Sequence, residues 1–415
     1  MLNHFLPPKD IETLKNGCIM KKLICLLFLV LPVAAFPQWT TEISGVTHSL
    51  ESVYFTDGNT GHIVSLDGDF LKTTNAGTTW SFINIGSDHP FFSVYFTDAD
   101  TGYTVGGFGD IYKTINGGTT WTSESSYTAL PFFSVFFTDA NTGYAVGYSG
   151  LMLKTINGGT TWDALLSGAM NDLLSVYFTN ANTGYVVGRS SSSVGTIIKT
   201  INGGTSWSFL VNGTTSDLTS VFFTDANTGY VVGYDGTIIK TINAGTNWTA
   251  LSSGTTKRLN SVYFTDANTG YVVGDWGIIL KTINGGTTWT PQLSGTPNIE
   301  LNSVFFTDVN NGYAIGDNGT ILKTTNGGTG LTDLSSKFNT LTIYPNPAYN
   351  QVTIETSTTP TKSQLSILNP NGQELITRQI TEPKTQIDIT SLPSGVYFVR
   401  VINEKTVEVG KIIKQ

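Results

Sequence analysis

Between Glu51 and Thr324 the chain is written in short apolar runs, each closed by a polar turn rich in Gly, Asn, Asp and Thr. The clearest stretch, 261–289, reads SVYFTDANTGYVVGDWGIILKTINGGTTW. Its runs SVYFT, GYVVG and IILKT are too short for helices and are bounded by turn chemistry, so each predicts a β-strand. A fourth strand is expected in the Trp-led run TWTPQL that follows. The joining segments DANTG, GDWG and NGGT suit tight turns. Asx side chains bond nearby backbone N–H groups there, and Gly accepts positive φ.

The unit repeats. Its SV(Y/F)F start stands at Ser52, Ser93, Ser134, Ser175, Ser220, Ser261 and Ser303, at spacings of 41, 41, 41, 45, 41 and 42. Four strands in each period of about 40–45 residues predict a β-propeller, here with seven blades. The seventh unit loses its Trp and fourth strand after Gly328, while PQWTTEISG at 37–45 is similar to TTWTPQLSG at 287–295. The strand around Trp39 is therefore expected to complete blade seven and leave no open edge.

The phrase TINGGTTW is identical at 114–121, 155–162 and 282–289, with near-copies in the other four units. Asn75, Asn116, Asn157, Asn202, Asn243, Asn284 and Asn326 hold its third place. They are expected to bond turn N–H groups while Gly turns the corner and Trp packs beneath. A feature needed once per blade is scaffold, not a catalytic site. The phrase matches the Asp-box pattern (Ser/Thr)-x-Asp-x-Gly-x-Thr-Trp with Asn in place of Asp. Residues 36–331 thus resemble the Asp-box, or bacterial neuraminidase-type, repeat propellers, most closely those similar to the photosystem II stability and assembly factor. The resemblance implies a fold more than a function, because Asp boxes also occur in sialidases, xyloglucanases and sorting receptors.

Both ends read differently. MKKLICLLFLVLPVAAFPQ begins at Met20 with a basic start, an apolar core and the small-residue tract Val33-Ala34-Ala35. Residues 20–35 are expected to be a secretory signal peptide, with 1–19 an upstream extension. The chain's two cysteines, Cys18 and Cys25, would leave with it, so the mature protein would have no disulfide and no transmembrane segment. After a linker at 332–340, the alternation in VYFVRV and the PNG turn signal predict a small β-sandwich of about seven strands over 341–415. YPNP at 344–347, NGQ at 371–373, SGVYFVRV at 394–401 and KIIK at 411–414 resemble the type A sorting domain of the type IX secretion system of Bacteroidetes. The resemblance implies export across both membranes, the secretion machinery as a partner, removal of this domain, and a secreted or cell-surface location. The whole chain is thus expected to be all-β, a seven-bladed propeller followed by a sandwich.

Candidate chemistry is thin. Residues 38–338 carry 11 Lys and Arg against 22 Asp and Glu, and seven of the basic residues are one periodic lysine per blade, which argues against nucleic acid. No cofactor motif and no metal-ligand spacing is present. Two arginines in the propeller, Arg189 and Arg258, are too few for a sialidase's three. Ligands are expected on the face opposite the Asp boxes. The second–third turns there carry Phe108, Tyr148, Arg189, Tyr234 and Trp276, and aromatic rings can stack on sugars or peptides. The inter-blade connections, read as including Glu124 and Asp163, carry the remaining polar candidates. The expected function is a secreted or surface module binding a glycan or protein. The alternative is a glycan-degrading hydrolase of the xyloglucanase type, which would need two carboxylates across a cleft.

Overall fold

The computed structural model describes residues 38–189, 195–328, 341–356, 363–369, 374–402 and 407–415. The signal-peptide and linker stretches, the PNG turn and most of the RSSSSVG insertion at 189–195 lie outside these residues.

Seven four-stranded antiparallel sheets follow one another through residues 40–324. Blade one joins Leu50–Phe55, Gly61–Ser65, Phe70–Thr73 and Ser81–Ile83 in that order. Blades two to six repeat the order within 91–124, 132–164, 173–209, 218–251 and 259–292. Blade seven supplies Leu301–Phe306, Gly312–Gly316 and Thr320–Thr324 and takes its outer strand, Thr40–Glu42, from the other end of the propeller sequence. Thr40 pairs with Lys323 and Glu42 with Ile321. Trp39, 1% exposed, meets Tyr271 and Phe306 edge-on and locks the strand in place.

The outer strands are shorter than TWTPQL suggests. In blade six the strand is only Thr290–Gln292, because Trp289 turns inward to meet Phe264 edge-on, with centroids 6.1 Å apart. Pro291, which lacks an N–H, is tolerated in it because the outer strand is an edge. Glu124 and Asp163 also lie in outer strands, not in the inter-blade connections.

Each letter of the repeat has a mechanical reason. The Ser hydroxyl of one inner strand accepts the Val N–H of the next blade, from Ser52 and Val94 at 3.3 Å round to Ser303 and Val53 at 3.4 Å, a circle of seven. The aromatic after that Val lines the axial channel. Tyr54, Tyr95, Phe136, Tyr177, Phe222, Tyr263 and Phe305 form a closed ring with neighbouring centroids 5.1–5.3 Å apart.

Further out, the second-strand Tyr and third-strand Lys of one blade both donate to a single carbonyl in the next blade's Asp-box turn. Tyr103 and Lys113 reach Gly158 O at 2.8 and 2.6 Å, and Tyr313 and Lys323 reach Ala76 O at 2.8 and 2.6 Å. Six seams carry this pair of bonds. In blade one His62 stands in the tyrosine's place.

In the Asp-box turn itself, Asn116 Oδ1 accepts the Thr120 N–H at 2.9 Å and the Thr114 hydroxyl at 3.0 Å, while Nδ2 donates to Thr120 Oγ1 at 2.8 Å. Asn75, Asn157, Asn202 and Asn284 make the same three bonds. Asn243 Oδ1 accepts from Thr241 and Asn247, and Asn326 Oδ1 from Thr324. Gly118, at φ +79°, packs its bare Cα against the Phe70 ring of the preceding blade, where a Cβ would sit only 3.0 Å away.

Residues 341–415 form two sheets, one of Thr342–Tyr344, Gln351–Glu355 and Lys384–Asp388, the other of Glu374–Ile380, Ser363–Leu368, Gly395–Ile402 and Val407–Lys414. Val352, Ile354, Ile387, Leu365, Val399 and Ile412 fill one core between them. The YPNP tract clasps the terminal strand: Asn346 Nδ2 donates to Lys411 O at 2.6 Å and its Oδ1 accepts the Ile413 N–H at 2.9 Å.

Candidate ligand-binding mouth

The two faces of the ring differ in kind. On one, the first–second turns meet the Asp boxes through repeated backbone bonds, such as Gly117 N–H to Asp100 O at 2.8 Å and Gly285 N–H to Asn268 O at 2.9 Å. The turn carboxylates there are engaged by the scaffold. Asp98 accepts the Thr101 and Asp100 N–H groups at 2.7 and 2.8 Å, and the Thr101 bond holds its carboxyl below the ordinary value.

On the other face, the second–third turns meet the inter-blade connections. Gly107, Tyr234 and Asp275 donate their N–H groups to Pro90, Asp217 and Arg258 carbonyls at 2.8, 2.9 and 3.0 Å. Phe108 and Trp276 occupy the middle of their turns with φ of 55° and 62°, and are 63% and 57% exposed. The equivalent turn residues Ser149, Asp235 and Asn318 have φ of 52°, 55° and 57°, so the left-handed backbone belongs to the repeat, and only the bulky exposed ring sets Phe108 and Trp276 apart. Tyr148 and Tyr234 stand one place earlier, before Ser149 and Asp235, which take the positive φ instead. Arg189 is exposed and donates its N–H to Asp172 O at 3.0 Å.

These five do not form one cluster. The His89 ring lies over Phe108 at 4.4 Å, Lys257 Nζ sits 4.4 Å from the Trp276 centroid, and Arg258 lies 5.4 Å from the Tyr234 ring. Trp276 and Tyr234 are thus each engaged by a cation of this chain rather than combined in one stacking surface.

A second group lies at the channel mouth on the same face: Arg258, Asp275, Glu300 and Asp317 are among the polar residues that the sequence places in its turns and connections, whereas Ser49, Glu51 and Asn302 carry no signal in the repeat. Arg258 is its hub: Nε bonds Asp275 Oδ1 at 3.2 Å, Nη2 pairs with Glu300, and Nη1 donates to Tyr234 Oη at 3.3 Å. Next to it, the Ser49 hydroxyl lies 2.7 Å from both Glu51 Oε1 and Asp317 Oδ1. Asn302 Nδ2 faces Ser49 Oγ and Leu50 O at 3.0 Å each, and Glu51 Oε1 at 3.4 Å. Burial raises the Glu51 carboxyl above its ordinary value, the Ser49 bond works against that, and the Asp317 charge adds to the rise.

The second residue of each inner strand sets the mouth's character. Reading blades one to seven it is Glu51, Phe92, Phe133, Leu174, Thr219, Asn260 and Asn302, all half-buried. In blades five to seven that side chain donates to the first inner-strand carbonyl of the next blade: Thr219 to Leu259 O at 2.5 Å, Asn260 to Leu301 O at 2.9 Å, Asn302 to Leu50 O at 3.0 Å. Blades two to four present apolar groups instead, with Phe92 and Phe133 edge to face at 5.4 Å. The column immediately before the repeated Ser varies in sequence, and reading it blade by blade would have revealed this split. Among the described residues no His, Cys, Asp and Glu group has the arrangement of a metal site.

Comparison with known proteins agrees with this architecture. Residues 342–415 match the secretion system C-terminal sorting domain. Overlapping segments 78–169, 159–254, 206–299 and 244–338 match photosynthesis system II assembly factor YCF48. Karilysin of Tannerella forsythia is 32% identical over 92 residues, 20% of this chain and 20% of that protein, so the chain spans about a fifth of that relative's length. Among solved structures, YCF48 bound to D1 peptide superposes with TM-score 0.61 at 20% identity, covering 70% of this chain and 97% of the other. YCF48 from Cyanidioschyzon merolae gives 0.59 at 20%, covering 69% and 98%. A GH74 xyloglucanase from Xanthomonas campestris gives 0.59 at 13%, covering 76% and 59%. At these identities the superpositions show the fold alone. The family segments together span more than half of the chain, from 78 to 338, and the sorting domain marks it for secretion or the cell surface. The chain belongs to the photosynthesis system II assembly factor YCF48 repeat family and carries a type IX secretion sorting domain.

Proposed function

We propose that the exported propeller is a binding module rather than an enzyme, and that it takes a protein segment or a glycan at the channel mouth opposite the Asp boxes. One observation carries the reading: the departures from repeat symmetry gather there. On the Asp-box face the same bonds recur from blade to blade, as closing a ring requires. Around the other mouth the inner-strand column changes from apolar to polar, and the exposed aromatics Phe108 and Trp276 stand outside it. Recognition is a reason to differ where closure is a reason to repeat.

The solved YCF48 holds a D1 peptide, which supports a protein ligand. The likeness to a xyloglucanase keeps glycan hydrolysis as the alternative. Against hydrolysis, Asp275 and Glu300 are paired with Arg258, which leaves them poorly suited to proton transfer. The test is to probe the purified protein with peptide and glycan arrays beside polysaccharide hydrolysis assays. Retention without product supports the module. Turnover abolished by one Asp or Glu substitution at this mouth would overturn it.

A further inference from the structure

Resting on that reading of the mouth, we infer that its ligand is a basic polypeptide segment. A lysine or arginine side chain would lie between Glu51 and Asp317, with a neighbouring apolar side chain against Phe92 and Phe133.

Ser49 Oγ lies 2.7 Å from Glu51 Oε1 and 2.7 Å from Asp317 Oδ1, but a hydroxyl has one proton and can serve only one of them. Asn302 Nδ2 has two protons facing three acceptors: Ser49 Oγ, Leu50 O and Glu51 Oε1. The acceptors therefore outnumber the donors. Half-buried carboxylates short of donors are costly, and an ammonium or guanidinium supplies both the missing N–H groups and the countercharge.

The charge balance points the same way. Arg258 is already held by Asp275, Glu300 and Tyr234, so it offers little to an incoming acid. The hydrogen bonds to Glu51 and Asp317 come from neutral groups, Ser49 and Asn302, and Arg258 acts on Glu51 only through space, as the smallest of the influences on its carboxyl. An acidic ligand would meet net negative charge, and a basic one would be drawn to it.

The apolar arc adds the second half of the recognition. Phe92, Phe133 and Leu174 carry no donor for the next blade's carbonyl, unlike Thr219, Asn260 and Asn302, which each bond one. Blades two to four thus combine half-buried apolar side chains, two of them rings, with inner-strand carbonyls that lack this side-chain partner. Such a wall suits the aliphatic stem of a lysine or an adjoining leucine together with main-chain N–H donors. A sugar, with many hydroxyls and no charge, would leave the donor deficit only partly answered.

The experiment uses the full chain and two acetylated, amidated heptapeptides, Gly-Leu-Lys-Leu-Lys-Leu-Gly and its glutamate counterpart, measured by calorimetry at low and high sodium chloride. The lysine peptide should bind and the glutamate peptide should not, with binding weakened by salt. Glu51→Gln and Asp317→Asn should each lower affinity roughly tenfold, and Phe133→Ala by a similar factor. Melting curves identify any variant that fails to fold, and Asp317→Asn then stands in for Glu51→Gln. Equal binding of the two peptides, no binding of either, or unchanged affinity in folded Glu51→Gln and Asp317→Asn would overturn the inference. If neither peptide binds but an array glycan is held and lost in Trp276→Ala, the basic-segment inference falls while the binding module stands.

Discussion

His62 stacks on Phe96 of the next blade, centroids 4.0 Å apart, where every other blade stacks a tyrosine on the equivalent phenylalanine at 3.9–4.1 Å. The imidazole keeps the stack but lacks the phenol's reach. Both of its ring nitrogens are buried without a hydrogen-bond partner. The seam between blades one and two is therefore the weak one. His62→Tyr should restore the bond to the Gly117 carbonyl and raise stability by about 0.5–1.5 kcal/mol, measured by chemical denaturation at neutral pH. Lower stability would mean that the Tyr geometry of the other seams does not transfer to this one.

The same residue should make the fold sensitive to acid. Burial, aided by the nearby Lys72 charge and opposed by Asp57, lowers His62 from 6.5 to about 3. The unfolded chain takes up this proton below pH 6.5 and the folded one does not until near 3. Stability is thus fully present above 6.5 and is lost as pH falls toward 3, by up to about 1.4 kcal/mol per pH unit. Carboxylates add their own acid dependence, so the measurement is a comparison with His62→Phe. The variant should lose less stability between pH 7 and pH 4, and parallel curves would exclude His62 as the cause.

The extent to which these features can be read from sequence follows from how each is encoded. The blades are encoded locally, with a strand and its turn residues side by side, so SVYFT, GYVVG and NGGT announce themselves seven times. Trp39 was legible because the unit it completes is missing the same phrase after Gly328. The circle of Ser–Val bonds and the Tyr–Lys latches join residues 42 to 59 apart in most seams, and periodicity shows such residues without showing their partners. The mouth was hidden for the opposite reason. Glu51, Phe92 and Asn302 share a place in the fold but not a residue type, and a search for repeated letters passes over them.

Ring closure rests on a strand of only three residues, Thr40–Glu42, and on Trp39 beside it. Trp39→Ala should cost about 3–5 kcal/mol, because a fully buried indole leaves a cavity against Tyr271 and Phe306. Deleting residues 38–42 should be worse, since it also exposes the Thr320–Thr324 edge to pairing with other molecules. Light scattering during a thermal melt would report both effects. An unchanged melt would show that this strand does not hold the ring closed.

In the sorting domain, Asn346 is expected to matter more than its exposure suggests. Its amide replaces two ladder bonds to the terminal strand, at Lys411 and Ile413. Asn346→Ala should free the last residues, seen as faster hydrogen exchange at Ile413, while Ile354 and Val399 in the core keep their protection. Uniform loss of protection would instead mean that the clasp supports the whole sandwich.

The two faces of the propeller should separate cleanly under mutation. Asn202 makes three bonds inside its Asp-box turn, to Thr200, to the Ser206 N–H and to the Ser206 hydroxyl. Asn202→Ala should lower stability by about 1–2 kcal/mol and leave ligand affinity in the folded fraction unchanged. Trp276 should do the reverse. Its ring is 57% exposed with Lys257 Nζ 4.4 Å from its centroid, so removing it opens no buried cavity. Replacing a bulky residue at φ 62° also relieves some of the backbone cost. Trp276→Ala should therefore keep or slightly raise the melting temperature while weakening a ligand that covers the indole by about 1–3 kcal/mol. Lys257→Ala provides the control: loss of the cation alone should change affinity less than loss of the ring if the ligand packs on the indole. A large stability loss in Trp276→Ala with affinity preserved would make the indole a structural plug and leave recognition to the channel mouth around Glu51 and Phe133.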